Sequence, residues 1–367
     1  MTWQEELSIK ISRLVSIMDS KELDAIYMKR QDSFAWLTCG GINYVGLGEM
    51  GNCGLLVTRD RKLYAITNNI EAPRMRDEEK LEEMGFAIHF STWYENAFEG
   101  ETLLRLVPSG KIGRDHGAVN NVANDVKLAR FSLTEAEIKR YKEGGYLTAR
   151  AIEETISSVR PGDTEYETIG RLVGIIRSHG MDVVSAMCAA DERISSYRHP
   201  VPTGKAITRR VQLGGNMRYK GLIICCTRLL NFEPVSSELR AQYMANVEID
   251  CTLMAHSKPG QTFVSALEAG RAAYEARGYG EEFKKHHQGG PIGYAGRDYR
   301  VDFSTPGVIA ENQAFCWNPS ITGTKSEDTI ISTSNGIIPV SRPIIAPKIT
   351  LEIEGQTFVR PDIWEAC

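Results

Sequence analysis

Residues 199–228 read HPVPTGKAITRRVQLGGNMRYKGLIICCTR, and how this stretch folds decides the architecture around it. Two short runs rich in strand formers, residues 210–213 and 221–225, are separated by Gly214, Gly215 and Asn216, which favour a turn. The spacing predicts a β-hairpin. One histidine, His199, stands just ahead of it in Tyr197-Arg198-His199-Pro200-Val201-Pro202-Thr203. A near-neutral pKa of about 6.5 lets an imidazole take a proton from water and return it to a leaving nitrogen.

Aligned on this hairpin, the chain resembles the creatinase and Xaa-Pro peptidase family, the pita-bread hydrolases that also include the methionine aminopeptidases. The resemblance runs nearly end to end. In metal-dependent members the hairpin reads Asp-Ala-Gly, then Tyr-x-Gly, then a second Asp followed by Ile-Thr-Arg, so Tyr219, Gly221, Thr227 and Arg228 set the register. The two aspartate positions are then Gly214 and Cys225. The family's Gly-His-Gly-Ile-Gly is similar to Gly289-Gly290-Pro291-Ile292-Gly293, which puts Gly290 at a ligand histidine. Its Ile-Glu-Pro-Gly is similar to Trp317-Asn318-Pro319-Ser320, and its Glu-Asp-Thr to Glu327-Asp328-Thr329. Asn318 replaces one glutamate and Glu327 keeps the other, so one of the five ligand positions survives.

A pair of divalent ions about 3.5–4 Å apart is held by bridging carboxylates and imidazole, and glycine offers neither. Cys225 beside Glu327 and a neutral Asn318 is an incomplete, mismatched set. The expectation is a protein with no metal and no other cofactor. Creatinase is the informative relative. Its resemblance implies a family member without metals that uses the histidine matching His199 as acid and base. Glu327 is then expected to orient a cationic or amide nitrogen or to polarise water, the alternative being an acidic residue in a turn before 329–331. Creatinase carries a glutamate where Thr227 stands here, so creatine itself is not implied as substrate.

Other residues are expected at the substrate. Arg297, in Arg297-Asp298, stands where relatives carry His-Glu and suits a bidentate carboxylate clamp, or else a surface ion pair. His286 and His287 are adjacent. On a strand they would point to opposite faces, so one of them, His286, is expected to line the pocket, the alternatives being a solvated pair or metal ligands shifted from the family's register. Tyr197 and Cys225 complete the set. Cys225 is also weighed as a nucleophile paired with His199, against packing as a small hydrophobe.

Composition bounds the class. Apolar residues make up 42% and charged residues 25% of 367, ordinary for a soluble globular chain long enough for two cores. The formal charge of −4 gives no electrostatic footprint for nucleic acid or acidic membranes. No apolar run approaches the roughly 20 residues that span a bilayer, and the start, MTWQEELSIKISRL, is amphipathic rather than a signal peptide. A cytoplasmic location is the expectation. Eight scattered cysteines without a CxxC read as packed, reduced thiols.

Thr2 with Glu5 resembles a capping box, opening a helix with Leu7, Ile11, Leu14, Val15 and Met18 on one face. Strands are predicted over 24–28, 53–58, 62–66 and 86–90, with helices around 70–84 and 101–106 and an irregular stretch over 111–129. The segment 32–38 matches the family's aromatic-Leu-Thr text and equally suits a half-buried strand. Gly46-Leu47-Gly48-Glu49-Met50-Gly51 satisfies GxGxxG, but a strand rather than a helix follows it, so a turn is expected. Thr134 with Glu137 caps a long helix closed by Arg160-Pro161-Gly162. The domain boundary is placed near Leu128, giving a creatinase-like 1–128 and a pita-bread 129–367. Pro161-Gly162-Asp163-Thr164 and Pro259-Gly260-Gln261-Thr262 open two helices ending at Gly180 and Gly278, a faint internal repeat that suits a pseudo-twofold domain.

The expected fold class is therefore α/β (α+β), with a small N-terminal domain before the pita-bread domain. The expected function is metal-independent hydrolysis of a carbon–nitrogen bond in a small molecule. The alternatives are a non-catalytic ligand-binding or scaffold homologue, and an Xaa-Pro peptidase with a residual metal site. The resemblance also implies a homodimer.

Overall fold

The computed structural model describes residues 1–366. They form two compact units, residues 1–137 and 138–366. The division falls in the first turn of the helix Glu135–Ser158 rather than at Leu128. Glu137 caps that helix, accepting from the Thr134 N–H at 2.8 Å, and Lys10 in the first helix holds it at 3.0 Å, so the helix start belongs to the first unit.

In the first unit the helix Trp3–Ser20 opens on the expected capping box, Thr2 with Glu5, and buries Leu7, Ile11, Leu14 and Met18. A five-stranded sheet runs in the order Phe86–Ser91, Leu63–Asn68, Met50–Thr58, Ala25–Arg30, Ile112–Arg114. Its core includes Ala25, Tyr27, Leu56, Ile66 and Leu103. Three local expectations change. The segment 32–38 is a helix, Gln31–Leu37: Phe34, Trp36 and Leu37 are all fully buried, so it has no two-residue alternation to make a strand. The irregular 111–129 contains the strand Ile112–Arg114 and the helix Ala123–Ala129. The helix expected over 70–84 shortens to Ala72–Asp77, because Lys80 and Gly85 take positive φ. The GxGxxG segment runs straight into a strand and forms no nucleotide-type turn.

The second unit is built on an eight-stranded sheet. Its path is Asp182–Ala190, Arg210–Tyr219, Leu222–Asn231, Asp328–Thr333, Gln313–Trp317 and Gly289–Pro291, with Gly336–Pro339 and Trp364–Glu365 attached beside it. The hairpin is present but its turn is not at Gly214–Asn216. The strands pair from Arg210 with Asn231 to Tyr219 with Leu222, and the chain reverses at Lys220-Gly221, whose φ values of 48° and 81° suit the primed two-residue turns. Gly214 and Gly215 lie mid-strand because neighbours press close. A Cβ on Gly214 would meet Cys226 O at 2.8 Å, and one on Gly215 would meet Ala186 Cα at 3.0 Å.

The repeat is visible in hydrogen bonds. Gly162 N–H donates to Ile207 O at 2.8 Å and Ile207 N–H to Asp163 O at 2.8 Å; Gly260 N–H donates to Ile309 O at 2.9 Å and Ile309 N–H to Gln261 O at 2.8 Å. Each motif then leads through a threonine N-cap, Thr164 or Thr262, into the helix Glu165–Ser178 or Phe263–Ala276. The glycines at both ends take positive φ, as a tight start and an αL stop require.

A chain of buried charges runs through the second unit. Arg228 pairs with Glu153 at 2.8 Å and Asp328 at 3.1 Å, and Arg360 pairs with Asp328 at 3.1 Å and also with Asp250. Glu153 further accepts the N–H groups of Ile344, Ile345 and Ala346. Each ion has several partners, the condition under which buried charge is tolerated. Among the described residues no helix is long and apolar enough to cross a membrane.

Candidate active site

Glu327 lies just before the strand Asp328–Thr333 and is 3% exposed. Its carboxylate is crowded with partners. Thr227, on the second hairpin strand, donates to Oε2 at 2.5 Å; Lys325 Nζ stands 3.0 Å from the same oxygen; Arg297 Nη2 lies 3.9 Å and Cys316 Sγ 3.8 Å from Oε1. Burial works to raise the Glu327 pKa, but Lys325, the Thr227 hydroxyl and Arg297 together outweigh it and hold the group below its ordinary value. It is a charged carboxylate tied to two internal cations.

Nearer the surface three imidazoles meet. His199 Nε2 and His286 Nε2 are 3.1 Å apart, and His287 joins them with ring centroids 5.7 Å from His199 and 4.5 Å from His286. The expectation that only one of the adjacent histidines faces the site is corrected. They sit in irregular chain between the helix Gly280–Phe283 and the strand Gly289–Pro291, where two-residue alternation does not apply. Burial, then Lys325, lowers the His286 pKa to about 2; burial, then Arg297, lowers His287 to about 4. His199 is exposed. Burial of part of its ring and the Lys325 charge lower it more mildly, with Glu327 acting in the opposite sense.

Arg198 ties this layer together. It donates to Glu282 at 2.6 Å, Thr322 at 2.8 Å and Ser320 at 3.2 Å, while the Ser320 hydroxyl lies 3.3 Å from His286 Nδ1. Arg297 is neither a surface pair nor a free clamp: it lies against Glu327 with 20% of its side chain exposed. Cys225 is fully buried, its N–H donating to the Thr329 hydroxyl at 2.9 Å. Tyr197 is 52% exposed, its ring under the Arg193 guanidinium at 4.9 Å, and the structure does not bring it to the cluster.

Lys325 escaped the sequence reading. A signal was available: Lys325 and Glu327 are two residues apart in extended chain, which places them on one side. Arg198 carried no comparable mark, since its partners Glu282, Ser320 and Thr322 lie far away in sequence.

The inherited ligand positions do not fit the family's metal pair. A Cβ on Gly290 (φ 145°) would lie 2.6 Å from Tyr299 O and 2.7 Å from Val301 Cγ2, so the room a histidine needs is filled by the chain. Gly214 is closed in the same way by the backbone of Cys226 and Thr227. The remaining carboxylate, Glu327, already neutralises Lys325 and Arg297.

An eight-stranded sheet with an internal repeat, and a cluster of charged side chains joined to the hairpin through Thr227, define the pita-bread class of hydrolase fold. The chain belongs to metallopeptidase family M24, whose model matches residues 139–337. It is 29% identical over 224 residues to the uncharacterized peptidase YqhT of Bacillus subtilis, covering 59% of this chain and 63% of that protein. With the uncharacterized peptidase MW1651 of Staphylococcus aureus it shares 22% over 350 residues, 89% of this chain and 97% of the relative. Among solved structures it superposes on an Xaa-Pro dipeptidase from Bacillus anthracis with a TM-score of 0.74 at 22% identity, covering 93% and 98% of the two chains. It also superposes on the N-terminal domain of the FACT complex subunit SPT16 from chickpea, with a TM-score of 0.69 at 14% identity and coverage of 92% and 97%. At these identities the structural likenesses establish the fold.

Proposed function

We propose that this protein hydrolyses a carbon–nitrogen bond of a small molecule without metal ions, His199 acting as acid and base. One observation supports the reading: the exposed imidazole of His199 lies within electrostatic reach of a buried group of two cations and one carboxylate, Lys325, Arg297 and Glu327, and a side chain added at Gly214 or Gly290 would meet close neighbours. His199 takes a proton from water as its oxygen attacks the substrate carbon. Negative charge gathers on the oxygen or nitrogen bonded to that carbon, where Lys325 and Arg297 offset it. His199 then returns the proton to the leaving nitrogen as the carbon–nitrogen bond breaks. Arg297 and Glu327 orient the substrate's charged groups. A homodimer and a cytoplasmic location are carried as further proposals.

A second reading, a non-catalytic ligand-binding homologue, is favoured by the mutual satisfaction of Glu327, Thr227 and Lys325. Chelator-treated protein offered a panel of amides, ureides, guanidino compounds and Xaa-Pro dipeptides separates the two. Turnover that falls by about 10²-fold or more in His199→Ala supports the first. Turnover unchanged in that variant sinks it, and inactivity across the panel favours the second. Turnover appearing only with added manganese or cobalt would return the protein to the peptidases with a residual metal site.

A further inference from the structure

We propose that His199, His286 and His287 form a mononuclear site for a borderline divalent transition ion of the zinc, copper, nickel or cobalt type, distinct from the five ligand positions inherited by the family. One ligand nitrogen from each histidine lies within 4.8 Å of the other two. The His199 Nε2 to His286 Nε2 separation of 3.1 Å is close to the roughly 3.3 Å between two nitrogens on a tetrahedral ion with bonds of about 2.0–2.1 Å. Small side-chain movements bring the third within reach.

The surroundings suit a ligand set. Ser320 Oγ, 3.3 Å from His286 Nδ1, can accept that ring's N–H and so turn the Nε2 lone pair toward the cluster, the way an outer hydrogen bond fixes a metal-bound imidazole. His287 Nδ1 is buried without a hydrogen-bond partner. Burial keeps His286 and His287 neutral at physiological pH, the form in which imidazole binds metal. Three imidazoles without a carboxylate select zinc-like ions over magnesium, calcium or manganese. Lys325, Arg297 and Arg300 oppose a dication and Glu327 attracts it, so the ion binds less tightly than three imidazoles alone would hold it.

The site shares His199 with the proposed proton shuttle. An ion bound there takes the lone pair that would accept the proton, so occupancy switches hydrolysis off. That consequence rests on the proposed function; the binding does not.

The test is calorimetric titration of chelator-treated, full-length protein with zinc chloride, together with cobalt absorption in the visible. One ion per chain is expected. His286→Gln and His287→Gln should each weaken binding by about tenfold or more, Cys225→Ser should leave it unchanged, and Lys325→Met should tighten it, with folding checked by circular dichroism. No binding at millimolar zinc overturns the site. So does binding lost in Cys225→Ser but kept in both histidine variants, because the ion then sits at the inherited positions. Binding without turnover on any substrate removes the proposed hydrolysis and leaves the site standing; turnover that persists with the site saturated removes the claim on His199.

Discussion

Lys325 Nζ stands 3.0 Å from Glu327 Oε2, both side chains almost wholly buried. The one carboxylate kept from the family's ligand set is therefore neutralised by a tethered cation. Removing one member of a buried pair leaves the other uncompensated, which costs about 3–5 kcal/mol. Lys325→Met should lose stability on that scale by urea unfolding, and adding Glu327→Gln should recover much of it. A single variant within about 0.5 kcal/mol of the parent would show that the pair is not coupled as described.

Restoring a lost ligand should not restore a metal centre. Gly290 has positive φ and faces Tyr299 O and Val301, so Gly290→His forces a side chain into filled space. Overpacking costs about 1–3 kcal/mol before backbone strain is added. A melting temperature equal to that of the parent would mean that the chain there gives way easily.

Acid should loosen the outer layer. Burial raises the Glu282 pKa, but Lys285, Thr322 and Arg198 outweigh it and bring the group from 4.5 to about 2. A carboxylate lowered on folding contributes stability that is complete above about 4.5 and lost as pH falls toward 2. Glu282→Gln should flatten the stability profile in that window and lower stability at pH 7, where the parent carboxylate contributes in full. A profile that keeps its slope would assign the acid response elsewhere.

The pH–rate profile should carry the mark of His199. Its folded pKa lies below 6.5, so the basic form dominates at neutral pH and kcat/KM should fall only on the acid side, with an apparent pKa below 6.5. Lys325→Met removes the charge that lowers it most after burial, and the acid limb should move upward. An acid limb centred above 6.5 in the parent contradicts the site electrostatics.

Much of this was legible in the chain itself. The Thr134–Glu137 and Thr2–Glu5 capping boxes, the strands of the first unit and the paired Pro-Gly-x-Thr motifs rest on contacts within a few residues, so local chemistry declares them. The hairpin was found while its turn was misplaced, because glycine marks both a reversal and a close approach, and pairing alone tells Gly214 from Gly221. The segment 32–38 misled for a related reason: burial on all sides erases the periodicity that separates helix from strand.

Sequence alone determined the family architecture and, through the resemblance, implied the absence of four ligand side chains, since both are matters of residue type in register. Only the tertiary structure decided what replaced them. His199 meets the adjacent His286 and His287, and Arg297 reaches Glu327 beside Lys325, across sequence separations that no local pattern marks. Their charge states follow from burial and neighbouring charge, which exist only once the chain has packed.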